Sequence, residues 1–226
     1  MDALDLLGGR PQMRLGVMGG TFDPVHVGHM VAAEESLHQL ALDEIVFMPT
    51  GTPPHKQRRL TPPELRYLML HAATAGHPHF WVSRYEMDNV RMDYTVDTMT
   101  DLRALLPGTE LFFITGADAV LEILTWKEPE RLLGLCTVVA VTRPGYDLGQ
   151  LSQVLAGLSG RDSVMTIEIP ALAVSSTMIR KKVAAGGSIR FLVPDGVAEL
   201  IDKFCLYRKT SSAEGHCSGG GVGAGA

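Results

Sequence analysis

Cysteine is scarce in this chain of 226 residues: Cys136, Cys205 and Cys217 are the three, far apart in sequence. So thin a set excludes a disulfide-stapled scaffold and reads as plain thiols in a reducing cytoplasm. No apolar run reaches the roughly 18 to 20 residues that cross a bilayer. The N-terminus has no basic stretch leading into an apolar one, so neither a membrane span nor a secretory leader is expected. Positive charge is not in excess either: the net charge is −5, which argues against a broad nucleic-acid footprint and confines any basic site to a local patch. Outside one pair, the histidines (His38, His55, His71, His77, His79, His216) show no repeated metal-ligand spacing. There is no internal repeat and no convincing interdomain linker. What is present is ordinary globular usage, 46% hydrophobic and 20% charged, at a length that suits one domain with a substantial core.

Short β-branched or aromatic runs at residues 14–18, 44–48, 80–83, 110–115, 137–142 and 164–167 alternate with helical patterns at 30–40, 62–75, 96–106, 117–124 and 177–185. The alternation predicts an α/β fold, a doubly wound parallel sheet with helices on both faces and right-handed crossovers. Residues 13–207 form the expected domain, with 175–207 as a small helical C-terminal subdomain. Residues 1–12 carry no core pattern and are expected to be a disordered, dispensable extension, with Met13 as an alternative start. The tail at 208–226, rich in glycine and small residues, has too little apolar surface to offset ordering. Thr61-Pro62-Pro63-Glu64 reads as a capping box with proline at the first helical position.

The most informative segment is Gly19-Gly20-Thr21-Phe22-Asp23-Pro24-Val25-His26-Val27-Gly28-His29, between the first strand and a helix. Glycines let a ligand approach backbone amides that a Cβ would shield. A helix starting near Val27 points free N–H groups and its positive dipole end at the same place, which suits phosphate. His26 and His29, three apart, share a face if the chain is already helical and can both donate to one polyphosphate. The pair could instead suggest zinc, but no cysteine or acidic group nearby completes a ligand set. In open parallel sheets such a segment lies at the strands' carboxyl ends, where ligands bind.

Val174-Ser175-Ser176-Thr177-Met178-Ile179-Arg180 opens a later helix. The hydroxyls suit a cap or a phosphate, and Arg180 falls four residues after Ser176 on the same face. An ordinary capped helix with a solvated arginine is the competing reading.

Both segments resemble signatures of the nucleotidyltransferase α/β superfamily, H-x-G-H at His26–His29 and I-S-S-T-x-x-R at Val174–Arg180, with valine in place of isoleucine. Across roughly residues 13–207 the chain is similar to the bacterial nicotinate mononucleotide adenylyltransferases. The resemblance implies a Rossmann-like nucleotidyltransferase fold. It implies ATP contacts at Gly19, Gly20, Thr21, Phe22, Gly28, Gly116, Asp118, Ser175, Ser176 and Thr177, and catalytic roles for His26, His29 and Arg180. It also implies mononucleotide contacts at Thr50, His55, Lys56, Tyr94, Thr95, Trp126 and Arg143. Each has a plainer reading: a cap for Thr95, core packing for Trp126, a helix N-terminal acid for Asp118, a solvated basic loop around Lys56. Asp93 stands where the family often has serine before the tyrosine-threonine pair.

The implied reaction joins ATP and nicotinate mononucleotide into nicotinate adenine dinucleotide and pyrophosphate, with magnesium on the phosphates. A phosphate monoester with a second pKa of about 6 is already largely dianionic near neutrality, so positioning and charge neutralisation are what catalysis must supply. Rival substrates are nicotinamide mononucleotide and phosphopantetheine, and a rival class is a noncatalytic nucleotide sensor. No nucleic-acid or membrane partner is expected, and assembly with identical copies stays open.

Overall fold

The computed structural model describes residues 2–10, 12–51, 60–89, 94–170 and 172–208. In chain order the elements are α1 (Ala3–Leu7), β1 (Arg14–Gly20), α2 (Val27–Gln39), β2 (Glu44–Pro49), α3 (Pro63–Thr74), β3 (Phe80–Val82) and α4 (Tyr85–Asp88). There follow α5 (Thr95–Leu105), β4 (Glu110–Gly116), α6 (Ala117–Val120), α7 (Pro129–Leu135), β5 (Thr137–Thr142), α8 (Leu148–Leu155), β6 (Val164–Glu168), α9 (Ser176–Ala184) and α10 (Asp195–Lys203). The strands lie in the order β3-β2-β1-β4-β5-β6, every neighbouring pair parallel. This is the expected doubly wound sheet, and strand order reverses between β1 and β4.

Alternation along each strand builds the two layers. Met18, Ile45, Phe47, Phe112, Ile114 and Val139 point to one face, where Ala33 and Leu37 of α2, Met69 and Leu70 of α3, Ile179 of α9 and Ile201 of α10 cover them. Leu15, Val17, Val46, Met48, Phe113 and Val138 point to the other, against α5, α7 and Leu151 of α8. All six residues of β2 are buried, as a strand covered on both faces requires. The C-terminal helices share the first core.

Several expectations need correcting. Residues 2–10 are not an unstructured extension. Asp2 caps α1 by accepting from the Leu4 N–H at 3.0 Å, and Leu4 and Leu7 are buried in the second core. A helix of five residues is too short to announce itself by periodicity. The side chain of Asp2 also accepts from the Ser83 hydroxyl at 2.7 Å and the Arg84 N–H at 2.8 Å, tying the N-terminus to the chain after β3. Thr61 caps nothing: Pro62 holds the cap position of α3, with Pro63 as the first helical residue. The helix expected at 117–124 stops at Val120 and resumes as a single 3₁₀ turn, Ile123–Thr125. Cys136 is a free, buried thiol, whereas Cys205 is disulfide-bonded, against the reading of plain thiols. The Gly-rich tail from residue 209 lies outside the described residues. Among the described residues no helix is long and apolar enough to cross a membrane.

Candidate active site

A cavity of about 300 Å³ opens at the carboxyl ends of β1, β4 and β5, across the point where strand order reverses. Gly19 at the end of β1, Gly116 at the end of β4, Arg143 just beyond β5, and His26, Gly28 and His29 at the start of α2 line it, with Ser175 before α9. Residues from five separate stretches of the chain therefore meet where strand order reverses.

The local geometry follows from the start of α2. His26 is the residue before its first turn, in extended conformation, and its N–H donates to Nδ1 of His29 at 3.2 Å. With Nδ1 accepting, the proton of neutral His29 belongs on Nε2, a donor for a phosphate oxygen. The two rings stack with centroids 3.7 Å apart. Gly28 permits this approach, because a Cβ there would lie 3.0 Å from Nδ1 of His26. Phe22, at φ +48°, sets its ring edge-on to His29 with centroids 5.1 Å apart.

Electrostatics refine the expectation of a cationic clamp. Burial, and next the positive charge of Arg143, push His26 down to about 4. Burial, followed by the neighbouring His26, holds His29 well below the ordinary imidazole value. Both imidazoles are thus neutral donors at pH 7 while no anion is near. Positive charge comes from Arg143, from Arg180 and from the end of the α2 dipole.

Arg180 reaches the same loop. Its Nη1 donates to the Asp23 carbonyl at 2.6 Å and its Nη2 to the Thr177 hydroxyl at 3.0 Å. Ser176 donates from Oγ to the Pro24 carbonyl at 2.8 Å, and Ser175 caps α9 by accepting from the Met178 N–H. The Tyr207 hydroxyl adds a third link, donating to Oδ1 of Asp23 at 2.7 Å. Burial and the Asp23 carboxylate push that phenol well above its ordinary value.

A smaller cavity of about 200 Å³ adjoins the first through Gly19 and is lined by Gly20, Thr50, Glu86, Tyr94, Thr95 and Phe113. Trp126 lies behind it, its ring edge-on to Phe113 with centroids 6.0 Å apart. Of the positions expected at a mononucleotide, Thr50, Tyr94 and Thr95 meet here, whereas Arg143 lines the larger cavity with the histidines. Thr95 is the first residue of α5 rather than its cap, a position Tyr94 holds. Asp118 is exposed in the first turn of α6 and does not line the larger cavity. His55, Lys56 and Asp93 lie outside the described residues.

Two groups escaped the motif reading. Arg66 on α3 is fully buried. It donates from Nε to the Thr61 carbonyl at 3.0 Å, from Nη1 to that of Thr21 at 2.7 Å, and from Nη2 to those of Thr50 and Gly51 at 2.7 and 2.6 Å. Its signal was a charge in register with Met69 and Leu70, three and four residues on, along the apolar stripe of α3. Glu86, on a helix too short to show a period, carried no such signal.

The cytidylyltransferase-like family matches residues 17–182. A probable nicotinate-nucleotide adenylyltransferase of Clavibacter michiganensis is 52% identical over 198 residues, covering 88% of this chain and 96% of that one. Its counterpart of the same description from Streptomyces coelicolor is 52% identical over 192 residues, covering 84% and 99%. Among solved structures, Plasmodium falciparum nicotinic acid mononucleotide adenylyltransferase complexed with NaAD is similar in fold, with a TM-score of 0.70 at 19% identity, covering 86% of this chain and 97% of that one.

Proposed function

Because the chain belongs to the cytidylyltransferase-like family, and within it to the nicotinate-nucleotide adenylyltransferases, we propose that its two adjoining cavities hold ATP and nicotinate mononucleotide for direct adenylyl transfer. A phosphate oxygen of the mononucleotide attacks the α-phosphorus of ATP. The new phosphoanhydride bond forms as the bond to the β-phosphate oxygen breaks, and pyrophosphate leaves with that electron pair. The product is nicotinate adenine dinucleotide, on the route to NAD. The attacking phosphate is already ionised, so no side chain need take its proton.

What supports this reading above all is the convergence at the β1–β4 switch. The N-terminus of α2 with its stacked histidines faces a cavity whose loop is held by Arg180, Ser176 and Tyr207 from the far end of the fold. We assign the triphosphate to this cavity, with Nε2–H of His29, the loop amides and Arg143 as donors to charge growing on the α-phosphate and the leaving group. Arg180 acts beside them, holding the Asp23 carbonyl. The pyridine ring is assigned to the smaller cavity, with Tyr94 and Thr95 at its carboxylate end and Phe113, packed against Trp126, as its aromatic wall. Among the described residues the lining of the larger cavity contains donors and no carboxylate, so magnesium would be held by phosphate oxygens, adding positive charge there. We place the enzyme in the cytoplasm.

The test offers ATP with one monoester at a time, nicotinate mononucleotide, nicotinamide mononucleotide or phosphopantetheine, with and without magnesium, and measures pyrophosphate. Fastest release is expected with nicotinate mononucleotide and magnesium. No release with any monoester would leave a nucleotide sensor as the better reading.

A further inference from the structure

The wall of the smaller cavity contains a carboxyl group that the transfer chemistry does not use. Glu86 lines it beside Thr50, Tyr94 and Thr95, and its Oε1 accepts from the hydroxyl of buried Thr98 at 2.8 Å. Among the described residues the charged groups on the surrounding elements are engaged elsewhere. On α3, Arg66 is spread over four carbonyls. Arg84, just before α4, pairs with Glu64 and with Asp88 of α4. On α5, Asp97 pairs with Lys127 and Asp101 accepts from the Tyr85 hydroxyl. Just after β2, Thr50 lines the same cavity, and among the described residues its buried Oγ1 has no hydrogen-bond partner. An uncompensated carboxyl and an orphan hydroxyl in one wall point to a polar group on the ligand.

We propose that Glu86 is a specificity-determining residue at the pyridine end: neutral, it donates to the carboxylate of nicotinate mononucleotide; ionised, it repels that carboxylate and accepts from the amide of nicotinamide mononucleotide. The inference rests on assigning this cavity to the pyridine ring. Because Thr98 donates to Oε1, the proton of the neutral acid sits on Oε2, free to make an O–H to carboxylate bond of the charge-assisted kind. Thr50 supplies a second donor. Burial pushes the Glu86 carboxyl up to about 7, and the Thr98 hydroxyl bond opposes that rise. The sign follows: as pH rises through that value the neutral form is lost, and preference for the acid over the amide falls. The second ionisation of the mononucleotide phosphate, near a pKa of about 6, is common to both substrates and cancels in their ratio.

The experiment measures kcat/KM for nicotinate and nicotinamide mononucleotides, with saturating ATP and magnesium, in the wild-type enzyme and in Glu86→Gln. Between about pH 6 and about pH 8.5 the wild-type acid-to-amide ratio is expected to fall roughly tenfold, mainly through KM of the acid. In Glu86→Gln, which keeps a donor that does not titrate, the ratio should stay constant within about twofold. Thr98→Val removes the opposing hydrogen bond and should move the wild-type inflection to higher pH. A wild-type ratio that is flat with pH, or a Glu86→Gln ratio that falls as steeply as wild type, overturns the role of Glu86 while leaving the transferase reading intact. Absence of pyrophosphate release with either mononucleotide overturns both.

Discussion

At the residue scale, the histidine pair shows how a motif and its physics differ. The spacing of His26 and His29 correctly anticipated a shared face, but not that burial would keep both rings neutral. Their contribution is then directional donation, which matters most where charge grows in the transition state. His29→Ala should lower kcat by about 10²-fold or more while moving the KM of the mononucleotide little, as steady-state kinetics with ATP saturating would show. The depressed imidazole values also couple to folding. A group whose native value lies below its unfolded one stabilises the fold fully above the unfolded value near 6.5, and that contribution is lost as pH falls through the native value, about 4 for His26. Urea unfolding between about pH 7 and pH 4 should therefore show a loss of up to roughly 3 kcal/mol from this residue, and the slope should be shallower in His26→Phe. Arg66 and Glu86 were harder to foresee, because a lone charge in a helical pattern does not reveal which carbonyls or hydroxyls the fold will bring to it.

At the element scale, strands were the readable part. Each of the six runs picked out by β-branched and aromatic residues became a strand, with ends shifted by at most two residues. Parallel strands buried on both faces carry dense apolar signals, and glycines such as Gly19 and Gly20 merely extend β1 beyond its apolar run. The unread elements are short or interrupted: α1, α4, α7 and α8 have five, four, seven and eight residues, below the length at which periodicity separates helix from coil. Helix α1 has consequences despite its size. Leu7 is fully buried, so Leu7→Ala should cost about 2–5 kcal/mol, measurable as a lower urea midpoint at unchanged m-value. A midpoint equal to wild type would mean that α1 is ornamental.

At the scale of the whole molecule, closure of the loop beside the larger cavity depends on the last described turn. Tyr207 lies 184 positions from Asp23 in sequence, yet its hydroxyl holds the carboxylate of the loop that bears the histidines. Tyr207→Phe deprives a buried carboxylate of a donor and should cost about 1–3 kcal/mol of stability. The same variant should raise the KM for ATP more than that for the mononucleotide, because the loosened loop lines the cavity we assign to the triphosphate. Sequence motifs pointed to one end of this closure, the loop of Asp23, but not to the other, since Tyr207 belongs to neither signature and its partner is decided by tertiary contact alone.

The four carbonyls gathered by Arg66 belong to the loop after β1, the turn after β2 and the residue before the Pro62 cap of α3. One rigid planar fork thereby sets the spacing between the loops that flank the two cavities, and, where those cavities hold the substrates as we propose, the gap an attacking oxygen must cross to reach phosphorus. Lysine, a single nitrogen on a flexible stem, cannot span four such acceptors. The spacing of those loops is thus held by a side chain that lines neither cavity.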